Sequence, residues 1–280
     1  MLTLEQVAKD LQEKLSDFED PRFEANQLLS HVLDKSLAII IAYPDVAVTK
    51  EQVLRLQTLA SKRKNGVPLA YLLHEKGFYD LTFMVNEDTL IPRPETERIV
   101  ERVLEYRNDK LDFLDIGTGA GAIALSVANQ RPGWSVTATD ICERALGVAK
   151  INAEKNSIKN ITFLKSDLFS TLGGLSFDII ASNPPYIDLN DPEVETDVRR
   201  YEPNKALFSP NEGLWHLTQI IVQSKQYLKP NAMLILEHGY QQDEHVRKLL
   251  SEHGYLNPTT IADYAGKPRA TYGLWAGRKK

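Results

Sequence analysis

The chain has 280 residues, which at about 150 residues per domain points to roughly two domains. Hydrophobic residues make up 42% and charged residues 25%, an ordinary globular balance that excludes a mainly disordered chain. The formal net charge is −5, from 33 Lys and Arg against 38 Asp and Glu. That balance counts against sequence-independent binding to DNA or RNA, which depends on cations meeting phosphates.

The longest apolar runs, such as Leu37 to Ala42, fall far short of the ~20 residues a membrane span needs. The first residues, MLTLEQVAKDLQEK, carry acids and no apolar h-region, so no signal peptide is expected. A single cysteine permits neither an internal disulfide nor a cysteine-rich zinc site. A cytoplasmic protein is expected. Lys62-Arg63-Lys64 is the best local basic patch and reads as a solvated helix end.

Residues 1–66 carry helical periodicity. Leu2, Leu4, Val7, Leu11 and Leu15 recur at three- and four-residue steps, as do Phe23, Leu28, Leu29, Val32 and Leu33. Asp20-Pro21 joins a cap to a first-turn proline and predicts a second helix. Thr49, followed by Glu51 and Gln52, predicts another that runs through Leu59 to Asn65-Gly66. We read 1–66 as a small helical domain and 67–90 as a linker, in which Gly77 to Val85 predicts a β-hairpin. Leu90-Ile-Pro-Arg-Pro94 resists helix through its prolines, and Glu95 then opens a helix through Ile99 and Val103.

In the third part, 91–280, strands and helices alternate. Predicted strands are 111–116, 135–139, 161–164, 177–182, 232–237, 256–262 and 271–276. Predicted helices are 121–129, 142–155, 212–228 and 241–252. The alternation predicts a doubly wound α/β sheet with ligands at the carboxyl ends of its strands. The last two strands lack a helix between them and are expected to form an antiparallel edge hairpin. The polar, proline-punctuated stretch 186–210 reads as a functional loop or lid.

Phe113-Leu-Asp-Ile-Gly-Thr-Gly-Ala-Gly-Ala122 joins the first of these strands to its helix. Gly117, Gly119 and Gly121 allow a sharp turn and close approach of a ligand, and the following helix start offers unpaired N–H groups. Asp140 ends the next strand, placed to accept both hydroxyls of a ribose. Gly117, Gly119 and Ala122 also satisfy the looser dinucleotide fingerprint, so this turn alone leaves NAD and S-adenosylmethionine open.

Asn183-Pro184-Pro185-Tyr186 directly follows the apolar strand Phe177 to Ser182. The prolines hold the nearby backbone carbonyls stiffly, Asn183 adds a side-chain carbonyl, and Tyr186 offers a flat face. Two acceptors beside a platform suit a planar –NH2 on a conjugated carbon, a poor nucleophile that must be oriented and relieved of developing positive charge.

With these residues in hand, the sequence resembles the amino-methyltransferases of the class I S-adenosylmethionine-dependent fold. More narrowly, it is similar to the PrmC (HemK) family of release factor glutamine methyltransferases. The resemblance rests on Leu90-Ile-Pro-Arg-Pro-Glu-Thr-Glu97, Ser166-Asp-Leu-Phe169, Asn183-Pro-Pro-Tyr-Ile187, Glu237-His-Gly239 and Tyr264-Ala-Gly-Lys-Pro-Arg269, with Pro68-Leu-Ala-Tyr-Leu72 extending it into the linker. It implies a Rossmann-like, seven-stranded, mostly parallel sheet with a small helical N-terminal domain; because a substrate loop alone offers little contact area, residues 1–66 are expected to help dock the substrate protein. It implies transfer of a methyl group from S-adenosylmethionine to the side-chain amide nitrogen (N5) of glutamine in the Gly-Gly-Gln motif of class I peptide chain release factors.

Cofactor binding is thereby expected at Gly117, Thr118, Gly119, Ala120, Gly121, Asp140, Asp167, Leu168 and Asn183. The glutamine would meet Asn183, Pro184, Pro185 and Tyr186, with Asn183, Pro184 and Tyr186 as the catalytic set. Two positions depart from the family pattern: Leu168 stands where tryptophan is common, and glycine is missing near Leu73-His74. A DNA amino-methyltransferase uses the same tetrapeptide on a flipped base, yet needs a basic recognition region that this chain lacks. No metal is expected, because His238, His245 and His253 have no carboxylate cluster or cysteine beside them and read as a solvated face. Cys142 reads as packed.

Overall fold

The computed structural model describes residues 2–277, which divide into two compact units, the first ending at Glu75 and the second beginning at Lys76. In the first unit, β1 (Leu2–Thr3) pairs with β2 (Ala47–Val48) beside α1 (Leu4–Lys14), α2 (Pro21–Leu33), α3 (Leu37–Ala42), α4 (Lys50–Lys64) and α5 (Leu69–Leu73). Thr3 and Thr49 each form a capping box, with Gln6 and Gln52 respectively, and Asp20 caps α2 by accepting from the Phe23 N–H. The apolar stripes meet in a core that includes Leu11, Leu28, Leu29 and Leu56.

Two expectations need correction here. Leu72 of α5 belongs to this core, so the unit runs to Glu75 and not to residue 66. Asn65-Gly66 ends α4, but the apolar Leu69–Leu73 turns back onto the same helices. Arg63 is not part of a solvated helix end. Its Nε and Nη2 each donate to the buried carboxylate of Glu24 at 2.8 Å, and its guanidinium lies over the Phe18 ring.

The unit boundary falls after the first residue of β3 (Glu75–Phe78), and the second unit runs on through β4 (Leu81–Met84), a 3-10 turn at Pro94–Thr96 and α6 (Glu97–Leu104). There follow β5 (Asp112–Ile116), α7 (Ala122–Gln130), β6 (Ser135–Asp140), α8 (Glu143–Lys155), β7 (Ile161–Lys165) and β8 (Phe177–Ser182). The chain continues through α9 (Thr196–Tyr201), α10 (Asn204–Leu207), α11 (Trp215–Ser224), β9 (Leu228–Glu237), α12 (Asp243–Glu252), β10 (Tyr255–Ala262) and β11 (Pro268–Trp275).

Seven strands form one sheet in the order β10-β11-β9-β8-β5-β6-β7. It is parallel from β9 to β7, while β11 runs antiparallel to both β9 and β10. This is the expected Rossmann-like methyltransferase sheet with its edge hairpin. The chain leaves β5 toward β6 and β7 and returns on the other side at β8, so the carboxyl ends of β5 and β8 flank the switch point where such sheets bind ligands.

Strand β9 begins earlier than its apolar pattern implies, because Pro230 and the left-handed Asn231 (φ 62°) interrupt the alternation. The stretch 186–210 holds α9 and α10 and a bridge between Ile187 and Phe208, so it is more ordered than a plain loop. His238 is fully buried, its ring nitrogens within 2.8 Å of Gly239 O and Thr271 Oγ1, and it is not on a solvated face. No described helix is long and apolar enough to cross a membrane, and the described residues hold no group of three or more metal-ligating side chains.

Candidate active site

The turn after β5 is built around backbone that side chains resist. Gly117 and Gly119 have φ of +71° and +56°, and a Cβ added to either would meet nothing within 4 Å. Conformation demands glycine there, and the empty space beside it belongs to the cleft. The Gly119 N–H donates to Asp140 Oδ2 at 2.9 Å and the Cys142 N–H to Oδ1 at 2.8 Å. Burial raises the Asp140 pKa, and these backbone bonds oppose the rise. Each carboxylate oxygen keeps acceptor capacity for a hydroxyl. Asn152 ties the region together: its side chain donates to the carbonyls of Ala120 and Met84 and accepts from the Met84 N–H.

The second wall comes from β8. Ser182 Oγ donates to Ile116 O at 2.7 Å and clamps the two strand ends. Asn183, Pro184 and Pro185 then line the same cleft as Gly117, Thr118, Gly119, Ala120 and Asp140. Asn183 Nδ2 donates to Thr96 Oγ1 at 3.1 Å, and Thr96 Oγ1 donates to Glu237 Oε2 at 2.6 Å. Tyr186 packs its ring against the core cluster, and its hydroxyl donates to Glu237 Oε1 at 3.1 Å. Burial pushes Glu237 up to about 7, against the pull of its two donors and of Arg269.

Family models match both parts of the chain: the PrmC N-terminal domain over residues 3–73 and the methyltransferase small domain over residues 96–245. The release factor glutamine methyltransferase of Shewanella oneidensis is 40% identical over 260 residues, 92% of this chain and 91% of its own. That of Salmonella typhimurium is 42% identical, covering 93% of this chain and 94% of its own. The chain belongs to the release factor glutamine methyltransferase family. A methyltransferase from Pyrococcus furiosus shares its fold, with a TM-score of 0.54 at 18% identity over 82% of this chain and 100% of that one.

The cleft, about 460 Å³, fits the cofactor of this family on several independent observations. Asp140 has capacity for ribose hydroxyls, and the glycine turn leaves room against the backbone. Ile141, more than half exposed, and Leu168 line the cleft with the exposed Asp167 and would offer apolar faces to an adenine. Leu168 is held at φ +49°, and its carbonyl accepts from Ser166 Oγ. Cys142 is half-buried and also lines the cleft, so it is less packed than expected.

Several site residues escape sequence reasoning. Asp115 accepts from Thr118 Oγ1 at 2.7 Å and the Ala124 N–H at 3.2 Å through Oδ2, while its buried Oδ1 has no partner. An acid inside the apolar strand Phe113-Leu-Asp-Ile116 was the available signal, as was Glu237 after Met233-Leu-Ile-Leu236. Arg93, by contrast, is legible from the Ile-Pro-Arg-Pro-Glu turn as a pocket-border or salt-bridge residue; it lines the cleft and pairs with the buried Glu202 at 2.5 Å, while the Ile91 N–H donates to the other Glu202 oxygen. That carboxylate anchors the end of α9 beside Pro203 and Asn204, which also line the cleft. His216, held at its Nδ1 by Ser209 Oγ at 2.7 Å, faces the cleft with its pKa lowered by burial.

Replacing Asp140 with Ala removes the charged acceptor expected at the ribose. We expect S-adenosylmethionine affinity to fall by about 10- to 150-fold, the equivalent of roughly 1.5–3 kcal/mol for charge-assisted bonds. Isothermal titration calorimetry on the folded variant checks this; an unchanged dissociation constant removes Asp140 from the site.

Proposed function

We propose that this chain transfers a methyl group from S-adenosylmethionine to the side-chain amide nitrogen (N5) of glutamine in the Gly-Gly-Gln motif of class I release factors, in support of translation termination in the cytoplasm. The observation that carries this reading is that Asn183, Pro184 and Pro185 line the same cleft as Gly117, Gly119 and Asp140. When bound, S-adenosylmethionine supplies a methyl group on a positively charged sulfur.

The chain's own residues then have two tasks. Asn183 Oδ1 and the stiff carbonyls of the proline pair accept the two amide N–H bonds, which orients the nitrogen and offsets the positive charge it gains. The substrate glycines let its backbone enter a narrow cleft. No titrating group of the tetrapeptide faces the amide as a base. Glu237, the buried acid that Thr96 links to Asn183, is 1% exposed and has both oxygens engaged by Thr96 and Tyr186. The amide proton therefore leaves after transfer, when methylation has made it acidic.

Label from S-adenosylmethionine should enter release factors at glutamine when these, ribosomes and duplex DNA are offered separately. Label in DNA would instead assign the cleft to a flipped base, a substrate that the net charge of −5 disfavours.

A glutamine loop alone offers little contact area, so docking of a whole factor needs other surface. The N-terminal unit exposes Phe23, Ile39, Ile41 and Tyr43, at 42% or more of their surface. We expect Ile41→Ser with Tyr43→Ser to raise KM for the intact factor about tenfold, a loss near 1.4 kcal/mol, while kcat holds. A short Gly-Gly-Gln peptide should show no change. Equal KM values for wild type and variant on the intact factor would reduce this surface to a stabilising role.

A further inference from the structure

We propose that Thr96 and Glu237 are positioning residues that decide which way round the Asn183 amide stands, so that Oδ1 and not Nδ2 faces the substrate amide. The inference rests on the reading of Asn183 as the acceptor for the glutamine N–H. A primary amide end is nearly symmetric in shape, and a half-turn exchanges an acceptor for a donor. Turned the wrong way, Asn183 would point N–H groups at N–H groups and lose its function without any change in packing.

The structure contains a device against that turn. Thr96 has one hydroxyl proton, and it is committed to Glu237 Oε2 at 2.6 Å. The lone pairs left on Thr96 Oγ1 can only accept, and they accept from Asn183 Nδ2 at 3.1 Å. A flipped Asn183 would set Oδ1 against those lone pairs. Both Thr96 and Glu237 are almost fully buried, at 3% and 1% exposure, so water cannot substitute for either partner.

The direction of the chain depends on Glu237 acting as an acceptor. Tyr186, from the segment after β8, donates to its other oxygen at 3.1 Å. Arg269 of β11, paired with Asp263 at 3.2 Å, favours the ionised carboxylate, and Glu95 of the 3-10 turn opposes it. His238 is the next residue in the chain and is engaged with Thr271 and Gly239. Protonated Glu237 would instead donate to Thr96 Oγ1, free the threonine proton for Asn183, and admit the reversed amide. Burial holds the Glu237 pKa near neutrality, about 7, so that the switch falls in an accessible range.

The test compares Thr96→Val, which keeps shape and loses the hydroxyl, with Thr96→Ser, which keeps the hydroxyl. Both are assayed on an intact release factor at saturating S-adenosylmethionine. We expect Thr96→Val to lower kcat about 10- to 100-fold, with cofactor affinity and KM for the factor within about twofold, and Thr96→Ser to recover most of the loss. Should Thr96→Val fail to fold, the wild type and Glu237→Gln decide. Wild-type kcat should rise with pH through about 7, and that of Glu237→Gln, which cannot ionise, should be flat. A folded Thr96→Val with wild-type kcat, a serine variant no better than valine, or a wild-type kcat flat across neutrality overturns the proposal. If the wild type methylates no glutamine at all, the functional reading fails first, which the variants alone cannot cause.

Discussion

Asn183→Ala is expected to lower kcat by about 10²–10³-fold, or about 3–4 kcal/mol, while S-adenosylmethionine affinity changes far less. The amide nitrogen of glutamine shares its lone pair with its carbonyl and is barely nucleophilic. Attack on the methyl carbon localises that lone pair and leaves positive charge on the nitrogen. Asn183 Oδ1 sits on a strand end that is clamped by Ser182 to Ile116 and stiffened by Pro184 and Pro185, so it needs no reorganisation to meet that charge. Alanine removes the acceptor and admits water, which is less well oriented. Single-turnover assays at saturating cofactor separate this loss from binding. A variant that loses cofactor affinity in the same proportion as kcat would recast Asn183 as a binding residue only. On the proposed reading, in which no base takes the proton in the transition state, the residual Asn183→Ala rate should also lack a bell-shaped pH profile.

Periodic and local features were legible in the sequence. The apolar runs at 112–116 and 177–182, the glycine turn between β5 and α7 and the edge hairpin all arise from patterns within about ten residues of chain. The missed features are pairings between distant segments. Thr96 and Glu237 lie 141 residues apart, and Arg93 and Glu202 lie 109 apart. No spacing rule links such partners, because the tertiary fold alone brings the 3-10 turn at Pro94–Thr96 to the end of β9. Tyr186 illustrates the same limit. Its position after two prolines marks it as a platform, yet only the structure shows its hydroxyl tied to Glu237 and its ring against the core. The N-terminal unit extended past Asn65-Gly66 for a related reason. A helix stop ends an element, and only packing shows that the next short helix returns to the same core.

Asp115→Asn is expected to move stability and cofactor affinity in opposite directions. Asp115 is 1% exposed, its Oδ1 has no partner, and burial pushes its pKa up to about 7 from an ordinary 3.8. Between about pH 4 and pH 7 the folded chain therefore keeps a proton that the unfolded chain has released. Stability falls as pH rises through that window and levels off above it, with a cost approaching ~4 kcal/mol for three pKa units. Asparagine never ionises and still offers an oxygen to Thr118 and the Ala124 N–H. The cofactor-free variant should thus melt several degrees above wild type at pH 8, with the gain shrinking toward pH 5. Thermal scans at the two pH values check it; an equal shift at both would assign the effect to packing and not to charge. The native protein retains a costly buried charge on a residue that lines the cleft, and a cationic ligand bound there would relieve it. S-adenosylmethionine carries such charge. Its affinity for wild type should tighten from pH 6 to pH 8, whereas Asp115→Asn should bind about 10- to 100-fold more weakly at pH 8 with little pH dependence. Calorimetry across that range decides between this role and a purely structural acid, for which the two proteins would bind alike.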